Sequence, residues 1–299
     1  MPSLKEIKRK IKSVKNTQKT TKAMKLVSTS KLKKAEELAK SSRVYADKIT
    51  QVLSDICFKV EKFRIGGIEN KFFACEQDSD KAPKMVDIVF ITADKGLCGG
   101  FNHQTIKRVT KLIEQYKKQD VKVRLRGIGK KGISFFNFNN IELLDSAVDI
   151  SAHPDYKKSA DFIESAVEDY VKGTTDRVIL VYNGYKNMIT QELKEKILLP
   201  IDTSMCKLDT SMSLMEVEPT DEEEEVLDSL AKKYVEYSMY YGLIDSLAAE
   251  HSARMQAMDA ATNNAKELAD SLTVDYNKAR QEAITKELIE INTGMEALK

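Results

Sequence analysis

The sequence predicts an α/β domain combined with a long antiparallel coiled coil, in which the two ends of the chain form a rod and the middle forms a layered domain. Three observations lead to this fold class. Apolar positions at heptad spacing run through the C-terminal part of the 299 residues, and an equally long row runs through the N-terminal part. Between them, short apolar runs alternate with helical patterns. We therefore divide the chain into residues 1–60, 61–219 and 220–299.

The C-terminal row begins at Leu227. Alternate steps of three and four residues carry it to Ala283 through 17 positions, and only His251 and Thr262 interrupt its apolar character. A heptad pattern of this length is typical of a helix that is bound along one stripe to another helix. Beyond Ala283 the apolar positions shift by one residue, to Ile284, Leu288, Ile291, Met295 and Leu298.

The N-terminal row supplies the partner helix. The same stepping from Leu4 reaches Val60 through 17 positions, so the two stripes have equal length and the ends of the chain are expected to fold back on each other. Ser3 and Glu6 form a capping-box pattern at one helix start, and Thr220 and Glu223 repeat it at the other. A first helix that starts near Ser3 leaves the last turns of the second without a partner, and their apolar stripe needs cover from another protein.

Four successive positions of the N-terminal row are polar: Gln18, Thr21, Lys25 and Ser28. Polar residues in a coiled-coil seam fix register but weaken packing. Two interpretations remain open. The coil is loose or hydrated here, or this face is adapted to a third body, with Met24 and Val27 beside it and Lys19, Lys22 and Lys25 available to acidic groups.

Charge is distributed unevenly although the net charge is only +2. Residues 1–34 carry eleven lysines and Arg9 against Glu6, which gives +11, while residues 216–245 carry ten acids against two lysines, which gives −8. The rod is therefore expected to be basic toward one end and acidic toward the other, which favours different partners. No apolar run is long enough to cross a bilayer, and four scattered cysteines indicate reduced thiols.

The middle of the chain has the alternating pattern of a Rossmann-like layered domain with a mainly parallel sheet. Strands are predicted at residues 85–92, 121–128 and 177–182, and helices at 104–118 and 155–171. Gly127, Gly129 and Gly132 match a dinucleotide fingerprint, but the next segment, residues 133–140, is too short and too rich in asparagine to be the helix that this fingerprint requires, so we expect no cofactor. The glycines of residues 95–100 indicate a tight turn or a surface that a partner approaches.

Neither catalytic nor metal-binding patterns stand out. His103, His153 and His251 have no ligand spacing, and the acidic run at residues 221–225 is explained by complementarity to a helix dipole. We expect no catalytic residue, no cofactor and no metal. Two rival functions remain: a nucleic-acid-binding coiled coil that uses the basic first helix, and an enzyme that uses the α/β domain.

Five stretches resemble the γ subunits of F-type ATP synthases. They are residues 16–35 (NTQKTTKAMKLVSTSKLKKA), 94–102 (DKGLCGGFN), 128–136 (IGKKGISFF), 250–264 (EHSARMQAMDAATNN) and 276–298 (YNKARQEAITKELIEINTGMEAL). The resemblance implies a non-catalytic shaft that turns inside a ring of three α and three β subunits, coupled to a proton-driven membrane rotor. It places the protein at the cytoplasmic face of a bacterial inner membrane, without inserting into the bilayer or binding nucleic acid.

The resemblance also implies which residues meet each partner. Residues expected to face the α and β subunits are Lys19, Lys22, Met24, Lys25, Lys95, Gly96, Leu97, Cys98, Arg254, Met255, Met258, Thr262, Ile284, Leu288, Ile291, Met295 and Leu298. Residues expected in a foot loop that contacts the ε subunit and the membrane c-ring are Met205, Leu214, Met215 and Glu216. The sequence of the foot loop matches the family only loosely. The central domain contains no close pair of cysteines, so no thiol switch is expected.

Overall fold

The computed structural model describes residues 3–62, 71–73, 83–201 and 223–296. Its helices and strands are α1 (Leu4–Lys62), β1 (Met85–Ile91), α2 (Phe101–Lys118), β2 (Lys122–Ile128), α3 (Lys130–Phe138), β3 (Asp145–Ala147), α4 (Tyr156–Val171), β4 (Arg177–Tyr185), β5 (Gln191–Leu199) and α5 (Glu223–Glu296). The capping box at Ser3 is confirmed, because the Glu6 N–H donates to Ser3 Oγ at 3.3 Å and the Ser3 N–H donates to Glu6 Oε2 at 3.0 Å. The predicted cap residue Thr220 lies outside the described residues.

The described chain divides into two compact units. One is Ser30–Ala253, and the other joins Met1–Thr29 with Arg254–Lys299. The predicted segments 1–60, 61–219 and 220–299 were instead divided at the ends of the two long helices. The grouping differs because parts of α1 and α5 belong to the core of the sheet: Leu53 and Leu243 lie in the same apolar cluster as residues of β1 and β4.

Within residues 83–201, five strands form one sheet in the order β3-β2-β1-β4-β5. The pairs β1–β2, β2–β3 and β1–β4 are parallel, which confirms the predicted mainly parallel sheet, and β5 is antiparallel to β4. One face packs on α4 and α5 through residues such as Val89, Ile163 and Met239. The other packs on α2 and α3 through residues such as Ile88, Val109 and Phe136. The Ser30–Ala253 unit is therefore a three-layer α/β domain in which α5 is one of the covering helices.

The edge strand β5 was not predicted, because its sequence QELKEKILL is dominated by charged residues. The structure shows why charges are accepted here. Lys194 Nζ lies 2.6 Å from the Asp245 carboxylate, and Lys196 Nζ lies 4.8 Å from the ring centroid of Tyr234, both on α5. Opposite charges and aromatic faces on the covering helix thus replace the apolar contacts that a strand normally offers.

A short helix, which was not among the predicted elements, follows Gly129. Residues Lys130–Phe138 form the short helix α3, and the glycines allow it to pack closely on β1. A Cβ atom on Gly129, whose φ is +98°, would lie 1.9 Å from the Thr92 carbonyl oxygen, and one on Gly132 would lie 2.6 Å from the Phe90 ring. The Gly132 N–H donates to Thr92 Oγ1 at 3.0 Å. Close packing against β1 therefore gives Gly129 and Gly132 a structural role.

The two long helices run antiparallel in the terminal unit, and they are also in contact in the Ser30–Ala253 unit. In the terminal unit, Thr21 contacts Thr262 and Lys25 contacts Asp259, so the numbering rises on one helix as it falls on the other. In the Ser30–Ala253 unit, Tyr237 donates its hydroxyl to the Ser42 carbonyl at 3.0 Å. Every described side chain at a position of the two heptad rows is buried or half-buried. Both the two long helices and their antiparallel pairing are confirmed.

Candidate functional site

The polar part of the seam lies in the terminal unit and is matched by polar residues of the same chain. Lys25 Nζ lies 2.6 Å from Asp259 Oδ1, with the two side chains 38% and 47% exposed. Thr262 donates its hydroxyl to Thr21 Oγ1 at 2.8 Å, and Ser28 is buried. Asp259 was not anticipated, because it stands beside the heptad row and not in it. Polar seam residues of α1 therefore contact polar residues of α5, and not all of them are available to another molecule.

The solvent-facing side of α1 carries the other residues that were predicted to contact a partner near the polar seam. Lys19 and Lys22 are exposed, and Met24 is half-buried. Leu26 and Val27 are 64% and 57% exposed, although Leu26 was not among the predicted contacts. A helix that presents lysines and aliphatic side chains together can bind a surface that is acidic and partly apolar.

The turn at residues 94–100 is positioned by Asp94. Its carboxylate accepts the Lys130 N–H at 2.9 Å, the Asp149 N–H at 3.1 Å and the Ser151 hydroxyl at 2.9 Å. One side chain thus connects the loops that follow β1, β2 and β3 at the carboxyl ends of these parallel strands. Three hydrogen bonds to an ionised group hold the turn firmly.

The turn presents some of the predicted contact residues and buries another. Lys95 and Leu97 are exposed, and Leu97 has a positive φ of 61°, which is costly for a leucine. Cys98 is only 2% exposed, and Asn102 donates to its sulfur at 3.2 Å. Cys98 packs with Phe101 and, on α5, with alanines. In this arrangement its side chain supports the turn from beneath, and the backbone of Gly96 and the side chain of Leu97 form the outer surface.

The β4–β5 hairpin is attached to α5 beside this turn and also contacts α1. The Tyr185 N–H donates to Asp245 Oδ1 at 3.0 Å, and the Ser252 hydroxyl donates to the Met188 carbonyl at 2.9 Å. The Tyr185 hydroxyl donates to the Glu36 carboxylate. Partial burial raises the pKa of Tyr185, and the hydrogen bond to Glu36 and its charge raise the pKa further. Sequence reasoning missed these attachments because each joins residues that are far apart in the chain.

In the terminal unit, the predicted contacts on α5 differ in exposure. Arg254 and Met258 are buried, whereas Met255 and Thr262 are half-buried. The buried pair can support a contact surface but offers little area of its own. Thr262 is already engaged with Thr21.

The end of α5 carries an exposed apolar stripe, as predicted from a first helix that starts near Ser3. Its members are exposed by about half or more: Ile284 49%, Leu288 61%, Ile291 62% and Met295 62%, with the unpredicted Ile289 at 59%. Leu298 and the foot residues Met205, Leu214, Met215 and Glu216 lie outside the described residues. Solvent exposure of so many aliphatic side chains in a row indicates a binding surface.

No described helix combines the length and the apolar character that a bilayer span requires. Among the same residues, no group of three or more histidine, cysteine or acidic side chains is arranged to hold a metal ion.

Comparison with known proteins identifies the family. A family model described as ATP synthase matches residues 3–298. The ATP synthase gamma chain of Wolinella succinogenes is 65% identical over 297 residues, which cover 99% of each chain, and that of Helicobacter pylori is 57% identical over 304 residues, which cover 100% of each.

Solved structures agree in fold. The central stalk and c-ring structure of the Tetrahymena thermophila mitochondrial ATP synthase contains a chain with a TM-score of 0.60 and 27% identity, covering 81% of this chain and 99% of that one. A chain of the Euglena gracilis mitochondrial ATP synthase has a TM-score of 0.67 at 18% identity, covering 99% and 94%. The family match does not support the nucleic-acid-binding alternative. The protein described here belongs to the ATP synthase gamma chain family.

Proposed function

We propose that this chain is the non-catalytic rotor shaft of a proton-translocating ATP synthase, which couples rotation of the membrane ring to conformational changes at the catalytic β subunits. The family match and the exposed stripe Ile284–Met295 support this role together. The stripe is the single observation that carries the proposal, because a helix end with aliphatic side chains in solvent requires an apolar socket. A ring of α and β subunits, three of each, supplies one.

The proposed contacts with the ring follow from which side chains are accessible. The exposed Lys19, Lys22, Lys95 and Leu97 meet the α and β subunits directly. Cys98 and Met258 hold neighbouring residues in place from within the chain. The foot residues Met205, Leu214, Met215 and Glu216 contact the ε subunit and the c-ring at the cytoplasmic face of a bacterial inner membrane.

The mechanism we propose is mechanical. A pair of helices has no three-fold symmetry, so it cannot make the same contacts with three equivalent β subunits. Each β subunit is then stabilised in a different conformation, and rotation of the shaft exchanges these states through differences in contact free energy. ATP is formed on the ring, and this chain contributes position and force without a catalytic group of its own.

The experiment compares the full chain with the triple variant Ile284→Ser, Leu288→Ser, Ile291→Ser for binding to a purified ring of α and β subunits. Half-exposed aliphatic side chains that become buried contribute about 1 kcal/mol each, so affinity should fall about a hundredfold. The helix content and thermal midpoint of the free chain should hardly change, because these side chains already contact water. Unchanged affinity for the ring would refute the proposal.

A matched control removes exposed apolar side chains outside the proposed contacts. Phe138 is 86% exposed and Val148 is 53% exposed, and both lie in the α/β domain. The variant Phe138→Ser, Val148→Ser should bind the ring as the unmodified chain does. Equal losses for both variants would mean that general surface polarity, not the stripe, determines binding.

A further inference from the structure

The polar contacts in the terminal unit define one alignment of the two helices. Thr262 lies beside Thr21 at 2.8 Å, and Lys25 lies beside Asp259 at 2.6 Å, one helical turn further along. Thr21 in turn donates its hydroxyl to the Gln18 carbonyl at 3.0 Å. The two contacts agree in register, because a step of four residues on α1 is matched by a step of three in the opposite direction on α5.

We propose that Thr21, Lys25, Asp259 and Thr262 form a register clamp, which selects the observed alignment of α1 and α5 against the alignment shifted by one heptad toward the end of α5. These are positioning residues. The inference concerns the chain by itself and goes beyond the proposed function, since it holds whether or not a ring surrounds the helices.

The clamp works mainly by penalising the wrong alignment. The ion pair is more than a third exposed, and such pairs contribute little to stability on their own. A shift by seven residues toward the end of α5, however, replaces Asp259 with Lys266 and Thr262 with Ala269. Lys25 would then face a second lysine, and the Thr21 hydroxyl would face a methyl group. The apolar seam positions alone do not distinguish the two alignments, because a heptad shift places apolar residues opposite apolar residues again.

The register also decides how much of α5 extends past α1. Counting outward from the clamp places Val14 opposite Ala269 and Leu4, the first residue of α1, opposite Ala279. The exposed stripe begins at Ile284, just beyond that point. A shift by one heptad would change the length of the exposed end by about 10 Å. The register that the clamp favours is therefore the one that leaves the observed length of the apolar tip uncovered.

Disulfide cross-linking in the full chain reads this register. With the four native cysteines replaced by serine or alanine, Val14→Cys with Ala269→Cys reports the observed alignment. Val14→Cys with Tyr276→Cys reports the alignment shifted by seven residues, because disulfides form only between closely spaced Cα atoms. With the clamp intact, the first pair should cross-link at least about tenfold faster than the second.

Charge changes at the clamp provide the test. Lys25→Asp places a carboxylate beside Asp259 in the observed register and beside Lys266 in the shifted one, so the ratio of the two cross-linking rates should fall about tenfold. The complete reversal Lys25→Asp, Asp259→Lys, Lys266→Asp restores both the attraction and the penalty, and should restore the ratio.

Two results would overturn the clamp. One is a cross-linking ratio that Lys25→Asp leaves unchanged, and the other is a lowered ratio that the complete reversal fails to restore. Circular dichroism of each variant checks that the helices persist. Should Lys25→Asp unfold the chain, the variant Thr21→Ala, Thr262→Ala replaces it, with a loss of preference for the observed register expected and an unchanged ratio again refuting the idea.

Discussion

Replacing Asp87 with asparagine should destabilise the centre of the sheet strongly. Asp87 lies in the middle of β1 and is fully buried. Its carboxylate accepts hydrogen bonds from Arg124 Nε at 2.6 Å, Arg124 Nη2 at 2.8 Å and Arg126 Nε at 3.1 Å. Arg126 is itself only 2% exposed. Removal of the negative charge leaves a buried guanidinium with less compensation.

The magnitude follows from what remains after the substitution. Breaking a buried ion pair by removing one partner costs about 3–5 kcal/mol. Asp169 still lies 2.5 Å from Arg126 Nη2 and 3.0 Å from Arg124 Nη2, so the lower end of that range applies. A loss of about 3 kcal/mol corresponds to about a hundredfold in an opening equilibrium.

Hydrogen exchange measured by mass spectrometry is the suitable assay, because it reports strands β1 and β2 separately from the long helices. In Asp87→Asn, peptides that cover these strands should exchange about a hundredfold faster than in the unmodified chain. The control is Asp145→Asn, whose carboxylate is 40% exposed and lies 3.9 Å from Arg126 Nη1. It should change exchange by about fivefold at most, since a long contact to a carboxylate that is 40% exposed contributes about 1 kcal/mol or less. Similar rates for both variants would refute the reasoning.

Three further predictions concern single positions. Gly129→Ala should abolish soluble folded protein, because its Cβ would overlap the backbone at 1.9 Å, whereas Gly173→Ala, with φ of +73° and open space, should cost only about 1 kcal/mol in chemical denaturation. Stability of the folded chain should decline as pH rises above about 10, because the pKa of the Tyr185 phenol is raised in the folded state. The raised pKa stabilises the folded state at pH values below the pKa of the unfolded chain, and this stabilisation is lost at higher pH. Tyr185→Phe should make the decline less steep, and an unchanged slope would contradict the role of the Glu36 contact. Leu97→Gly should make the free chain at least as stable as the unmodified chain, because a positive φ favours glycine. The same variant should bind the ring of α and β subunits more weakly. Unchanged ring binding would show that Leu97 is not part of the proposed contact surface.

Local patterns were sufficient for the elements that repeat or that are strongly apolar. Heptad rows predicted both long helices and their antiparallel pairing, because a stripe of that length has to be buried against an equally long one. The apolar runs at β1, β2 and β4 predicted strands of a mainly parallel sheet. The start of the first helix near Ser3 predicted the exposed stripe from Ile284 onward, since the last turns of α5 then have no partner helix in the chain.

The tertiary structure alone decided which residues meet across the chain. Lys25 and Asp259 are 234 residues apart, and no local pattern indicates that the lysine in the seam has a partner of its own. The charged strand β5 forms because α5 offers it ionic and aromatic contacts, and helix α3 forms because it can pack closely on β1. Neither kind of contact is visible in a short stretch of sequence. Periodicity thus determines which stripe of a helix is buried, whereas register and the pairing of buried charges depend on distances between segments that only the folded chain brings together.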